Sequence, residues 1–284
     1  MGGIILPNGS EIHAAFTRAC NKRCVFIAGL SGVGKSLYIQ QLAQMADKAG
    51  RVVHLLQWDV TREAFQTPEI LGKYPEKNGV THSAIRKAVG LWARSGVIKW
   101  HAEFSAEENI LIGELPLVGN RLVELVQTID DVAEPLLSSD KTHFLVPVPS
   151  VALRQHILSR RSNSIANPQH EREALDAPPE IVQLNWQQVW NMVNTLGLCE
   201  TSNKGVEYDP EIYSLAYAYL LQNRHFDCLN VAEIFPVVSS VYELGVVKTE
   251  LAASKAEVAS IFELIESTYT QQQIEHVTAH WYDM

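Results

Sequence analysis

Cysteine is scarce in this chain. The 284 residues hold four, Cys20, Cys24, Cys199 and Cys228, with no C-x-x-C pair and no Cys/His spacing suited to zinc. That argues against a disulfide-framed scaffold, and nothing at the amino terminus reads as a secretory signal, so reduced thiols in a cytoplasm are expected. Met1-Gly2-Gly3 is followed by Leu6 where a myristoylation signal needs Ser or Thr. Long apolar runs are missing too, because even the richest segments carry a charge every few positions, and no membrane span is expected. Positive charge is in deficit: 23 Lys and Arg face 32 Asp and Glu, a formal net charge of -9. This argues against a broad electropositive face for duplex nucleic acid and leaves room only for a local groove. No internal repeat or low-complexity tract is present.

What the sequence does have is Gly29-Leu30-Ser31-Gly32-Val33-Gly34-Lys35-Ser36, an ungapped match to G-x-x-x-x-G-K-[ST]. The apolar, partly β-branched run Arg23 to Ala28 before it reads as a buried parallel strand, and Leu37, Ile39, Leu42 and Ala43 after it recur at helical spacing. Glycines let successive N–H groups converge on a phosphate, and the helix that follows adds its partial positive charge. Lys35 is then expected to reach the β- and γ-phosphates of ATP, and the Ser36 hydroxyl to be a ligand of Mg²⁺. The alternative is a glycine-rich turn between a strand and a helix.

Further strands are expected at Arg51 to Trp58, Asn109 to Leu115 and Thr142 to Val148, with Pro147 ending the pairing of the last. Within Ile4 to Cys20, Ser10 followed by Glu11, Ile12, Ala15, Phe16 and Ala19 suggests a capped amphipathic helix packed on the sheet edge. Asp59 emerges at the carboxyl end of the second strand, where ligands of open α/β sheets gather, with Arg62 just after it. Both suit an acceptor site; a turn carboxylate and a solvated arginine are the plain alternatives. Thr81 to Arg94 has the apolar stripe of a helix, and Val97 to Phe104 is ambiguous between its continuation and a short strand. Glu114 closes the third strand, in a position to hold waters around Mg²⁺. Pro116 to Ile129 reads as a helix striped by Leu122, Leu125, Val126 and Ile129, whose start carries Asn120 and Arg121 as candidate substrate contacts. Arg154, Arg160 and Arg161 precede a polar stretch, Ser162 to Ala177, which looks like a lid closing over phosphates or else an exposed loop.

From Pro178 onward the composition turns helical, with helices expected from Ile181 to Gly197 and from Pro210 to Asn223. Tyr213, Tyr217 and Tyr219 suit a core. Leu244, Val247, Leu251, Val258, Ile261 and Ile265 suggest one long helix broken by Ser254, packing on its own chain or pairing with a second copy.

Together, the Gly29–Ser36 loop, Asp59, Arg62, Glu114 and the arginines before the lid resemble the P-loop kinase superfamily over Arg23 to Ala177, and its small-molecule and zeta-toxin-like kinases in particular. The resemblance implies a parallel sheet in the order 2-3-1-4-5 sandwiched by helices. It also implies a 1–177 nucleotide-binding core with a lid, and leaves 178–284 as an all-helical region packed on that core. ATP and Mg²⁺ are the implied cofactors and a small-molecule hydroxyl the implied acceptor. Asp59, Lys35, Arg154, Arg160 and Arg161 would then be catalytic, Asp59, Arg62, Asn120 and Arg121 substrate-binding, and Ser36 and Glu114 metal-binding. A GTPase is disfavoured, because neither Asn21-Lys22 nor Asn203-Lys204 has Asp two places on, and no L-S-G-G-Q-like transport signature exists. Two other readings stay open: an ATP-hydrolysing regulatory module binding a partner through its helical third, and a kinase acting on a polynucleotide end.

Overall fold

Apolar runs become strands buried on both faces. The computed structural model describes residues 3–77, 79–199 and 207–284; Met1-Gly2 and the Asn203-Lys204 pair lie outside them. The sheet contains β1 (Cys24–Ala28), β2 (Val52–Leu56), β3 (Asn109–Leu115), β4 (Thr142–Pro149), β5 (Phe226–Val231) and β6 (Lys248–Glu250). All neighbours pair in parallel, in the order β5-β4-β1-β3-β2-β6. Its first five strands thus stand in the order 2-3-1-4-5, and β6 extends the β2 edge.

Alternation along each strand divides the core in two. Cys24, Phe26 and Ala28 enter one apolar cluster with Phe144 and Val146, while Val25, Ile27, Ile112 and Leu145 enter the other. Phe26 stacks on Phe144 at 5.0 Å between centroids. A Cβ at Gly113 would stand 2.3 Å from Phe26, so that glycine makes room for the stack. On one face lie α1 (Glu11–Ala19), capped by Ser10, and α2 (Lys35–Lys48). Short helices α3 (Trp58–Glu63) and α4 (Pro68–Lys73) lead to α5 (Ser83–Glu103), the longest. Val97 to Phe104 is therefore the end of this helix. α6 (Glu134–Leu137) precedes β4, and α7 (Val151–Ala166) follows it. α8 (Pro179–Thr195), α9 (Pro210–Leu220), α10 (Lys255–Thr268) and α11 (Gln271–Ala279) join α5 on the second face. Among the described residues no helix is long and apolar enough to cross a membrane.

Several expectations fail. The segment 178–284 is not all-helical: it supplies β5 and β6, the two edges of the sheet. Edge strands are covered on one side only, so Phe226–Val231 is half-buried and Lys248-Thr249-Glu250 needs no apolar run. The long helix from Leu244 does not form, and Ser254, read as a break in it, is the N-cap of α10 in a capping box with Glu257. Pro116 to Ile129 is not a helix but tight turns with a 3-10 turn at Val123–Leu125, because Leu117, Gly119, Asn120 and Leu122 all have positive φ. Pro147 does not stop β4, which pairs with β5 as far as Pro149. Phe144 donates to the His225 carbonyl just before β5 and Ser150 to the Val231 carbonyl of β5, so alternation turns the Pro147 nitrogen toward β1, whose pairing has ended at Leu145.

Candidate functional site

The Gly29–Ser36 loop joins β1 to α2 at the carboxyl end of the central strand. Gly29 N–H donates to the Leu115 carbonyl of β3 at 3.0 Å, anchoring the loop to the sheet. Gly32 (φ 80°) and Gly34 (φ 91°) adopt left-handed backbone that a side chain would strain, and Gly34 is the residue from which α2 starts. A Cβ on Gly32 would stand 2.5 Å from Leu158, and one on Gly34 would stand 3.6 Å from Ile157, so α7 lies against the loop.

A cavity of about 660 Å³ opens here. Ser31, Gly32, Gly34, Lys35 and Ser36 line it, with Asp59 and Arg62 from α3, Glu114 from β3, Arg121 from the turn after it, and Arg160 and Arg161 from α7. Gly29, Leu30 and Val33 complete the loop but do not line the cavity, and neither do Asn120 or Arg154. Asn120 is buried with φ 61°, its side-chain amide donating to Glu124 at 3.2 Å. The Arg154 guanidinium is buried over the Tyr208 ring, 4.3 Å from its centroid, and 6.0 Å from that of Trp186.

Lys35 is the electrostatic centre of the cavity. Its Nζ donates to the Leu30 carbonyl at 2.9 Å and lies 3.4 Å from Glu114 Oε1. Burial depresses the ammonium and raises the carboxyl, and each charge opposes the shift of its partner. Asp59 follows β2 as the second residue of α3; its side chain is 71% exposed and lies 3.5 Å from Arg62. Arg62 also donates to Thr81 Oγ1 at 2.9 Å. Arg121 donates to the Val118 carbonyl and to Asn185 Oδ1, both at 3.1 Å, and burial lowers its pKa. Arg160 donates to the Val237 carbonyl at 3.2 Å.

The stretch expected to be a lid continues α7 to Ala166 and then forms a 3-10 turn at Glu171–Leu175. It is tied to the segment after β5: Ser240 donates to Glu173 at 2.6 Å, and Tyr242 donates to Asp176 at 2.8 Å. Arg161 pairs with Asp176 at 3.1 Å. Burial raises the Asp176 carboxyl, against the pull of Arg161. Asp176, Tyr242 and Asn185 are cavity residues that sequence reasoning missed. Tyr242 sits between β5 and β6 in a stretch with no periodic pattern, so no local signal marks it.

No described group of three or more His, Cys, Asp or Glu side chains forms a metal cage. The donors beside the loop, one hydroxyl and one carboxylate, suit Mg²⁺, which keeps several waters and takes the rest of its shell from phosphate oxygens. No protein-family model matches the chain, and the comparison with curated proteins finds no match either.

Proposed function

We propose that the chain is an ATP-dependent phosphotransferase of the P-loop kinase type, moving the γ-phosphoryl group to a hydroxyl of a small-molecule acceptor. One observation carries the reading: the Gly29–Ser36 loop opens into a cavity where Lys35 and Glu114 lie side by side and whose lining also includes Arg160 and Arg161 of α7. The 2-3-1-4-5 order of the first five strands supports it. The loop amides and Lys35 would hold the triphosphate, and Arg160 and Arg161 would spread its charge. Ser36 and Glu114 would hold Mg²⁺, which when bound neutralises phosphate charge. Arg62 and Arg121 would bind the acceptor, and Asp59 would accept its hydroxyl proton. Phosphoryl transfer asks a protein for positioning and electrostatics, and these are what the residues supply.

The test is incubation of the protein with ATP·Mg²⁺ and pooled metabolites, with phosphorylated products sought by mass spectrometry. Lys35→Ala should abolish product formation and tight ATP binding by calorimetry. Unchanged affinity together with unchanged turnover would overturn the phosphate-loop reading.

A further inference from the structure

A second cavity, of about 460 Å³, lies behind the turn that carries Arg121, between the start of α5, α8 and α11. Its polar lining includes Lys77, His82, Arg86, Gln188, Asn191 and Glu275. Among the described residues, neither Lys77 nor Arg86 makes an ion pair. Arg86 Nη1 donates to the Gly119 carbonyl, its buried Nε has no partner, and among the described residues no carboxylate pairs with it. Arg121, on the far side of Gly119, makes no ion pair among them, and the charge of Asp59 raises its pKa against burial. A Cβ at Gly119 would stand 3.2 Å from Arg86 Nη1 and 3.9 Å from Arg121 Nη1, so the two guanidiniums flank one glycine. The cavity's acid, Glu275, accepts from Gln271 on its own helix at 2.8 Å and makes no ion pair with Lys77 or Arg86.

Burial lowers the pKa of His82 first, and Lys77 and Arg86 lower it further, against Glu275. Burial, helped by Arg121, brings Arg86 down to about 10. Holding two half-buried arginines side by side, one of them with a buried Nε and no ion pair, is costly unless something anionic joins them. Amide side chains at Gln188 and Asn191 can hydrogen-bond the body of a small molecule.

We infer that this second cavity is a binding site for a small oxyanion, a phosphate- or carboxylate-bearing molecule held by Arg86 and Lys77. It is distinct from the phosphate loop, so the inference stands apart from the kinase reading. Thr81 lines both cavities, and Gly119 separates Arg86 from the Arg121 of the first. An anion on Arg86 would relieve the repulsion that it meets from Arg121 across that glycine.

The test disables the loop and asks whether an anion still binds. Lys35→Ala protein should bind citrate and inorganic phosphate in calorimetry at a single remaining site. Adding Arg86→Gln should weaken that site about 10-fold or more, the loss expected for hydrogen bonds to a charged group, and adding Lys77→Gln about 3-fold. Absence of any anion binding by Lys35→Ala protein, or binding indifferent to both further changes, overturns the inference. Selenate soaked into crystals of the unaltered chain provides a check that needs no variant to fold. Anomalous density beside Arg86 is expected, and selenate confined to the Gly29–Ser36 loop refutes the site.

Discussion

At the scale of single residues, two positions illustrate how environment decides a role. Asp59 follows β2 at the wall of the larger cavity, and its exposure keeps it within reach of an incoming molecule. If Asp59 is the general base proposed above, Asp59→Asn should lower transfer to the acceptor about 10²- to 10⁴-fold while ATP affinity changes little. In a regulatory ATPase the same change should leave hydrolysis nearly untouched, so steady-state kinetics with the true acceptor separates the two readings. Gly90, inside α5, shows the opposite situation. A Cβ there would stand 1.7 Å from Glu124 Oε2, and Glu124 is wholly buried, 2.9 Å from Lys87. Gly→Ala within a helix usually gains about 1 kcal/mol. Here the methyl would push a carboxylate that has nowhere to swing away from its buried partner, so Gly90→Ala should cost about 3 kcal/mol in denaturant melts. A stabilised variant would show that Glu124 has room to move.

At the scale of elements, α10 depends on its first turn. Glu257 accepts from the Ser254 amide at 2.8 Å and lies 2.9 Å from Lys99 of α5, so one carboxylate both caps the helix and ties it to its neighbour. Lys99 and the Ser254 amide hold its pKa down to about 2. A depressed carboxyl contributes stability that is present above its unfolded value of 4.5 and lost as pH falls toward 2. Glu257→Ala should therefore cost about 1 kcal/mol at neutral pH. The gap between variant and parent should close as pH drops through that window. A pH-independent gap in the unfolding midpoints would mean that packing, rather than charge, is lost.

At the scale of the molecule, the last 37 residues, 248–284, close one edge and one face together. β6 covers β2, and Val258, Phe262, Ile265, Ile274 and Trp281 are buried in the same apolar cluster as α5. Phe262 stacks on Tyr74 at 5.5 Å between centroids and lies 6.2 Å from Phe65. A chain ending at residue 247 would bare β2 as an unprotected edge and strip α5 of its cover. It should lose the cooperative thermal transition and bind a hydrophobic dye; a sharp transition near the parent's melting temperature would refute this.

By itself the sequence determined the centre of the sheet and the start of the site. Cys24–Ala28, Val52–Leu56, Asn109–Leu115 and Thr142–Pro149 are buried on both faces, so each had to be an apolar run, and such runs are legible. The Gly29–Ser36 loop was equally legible, since left-handed backbone at Gly32 and Gly34 requires those residue types. Only the tertiary structure decided the edges and the far wall of the cavity. Lys248–Glu250 is a strand because β2 offers it hydrogen bonds, not because of its own pattern. Arg121 reaches the cavity through a turn of positive-φ residues rather than the helix that its apolar spacing suggested. Arg154 leaves the group of arginines because Tyr208 and Trp186, distant in sequence, hold its guanidinium in the core. Asp176 and Tyr242 join the site through a contact spanning 66 residues, and no local periodicity encodes a contact of that length.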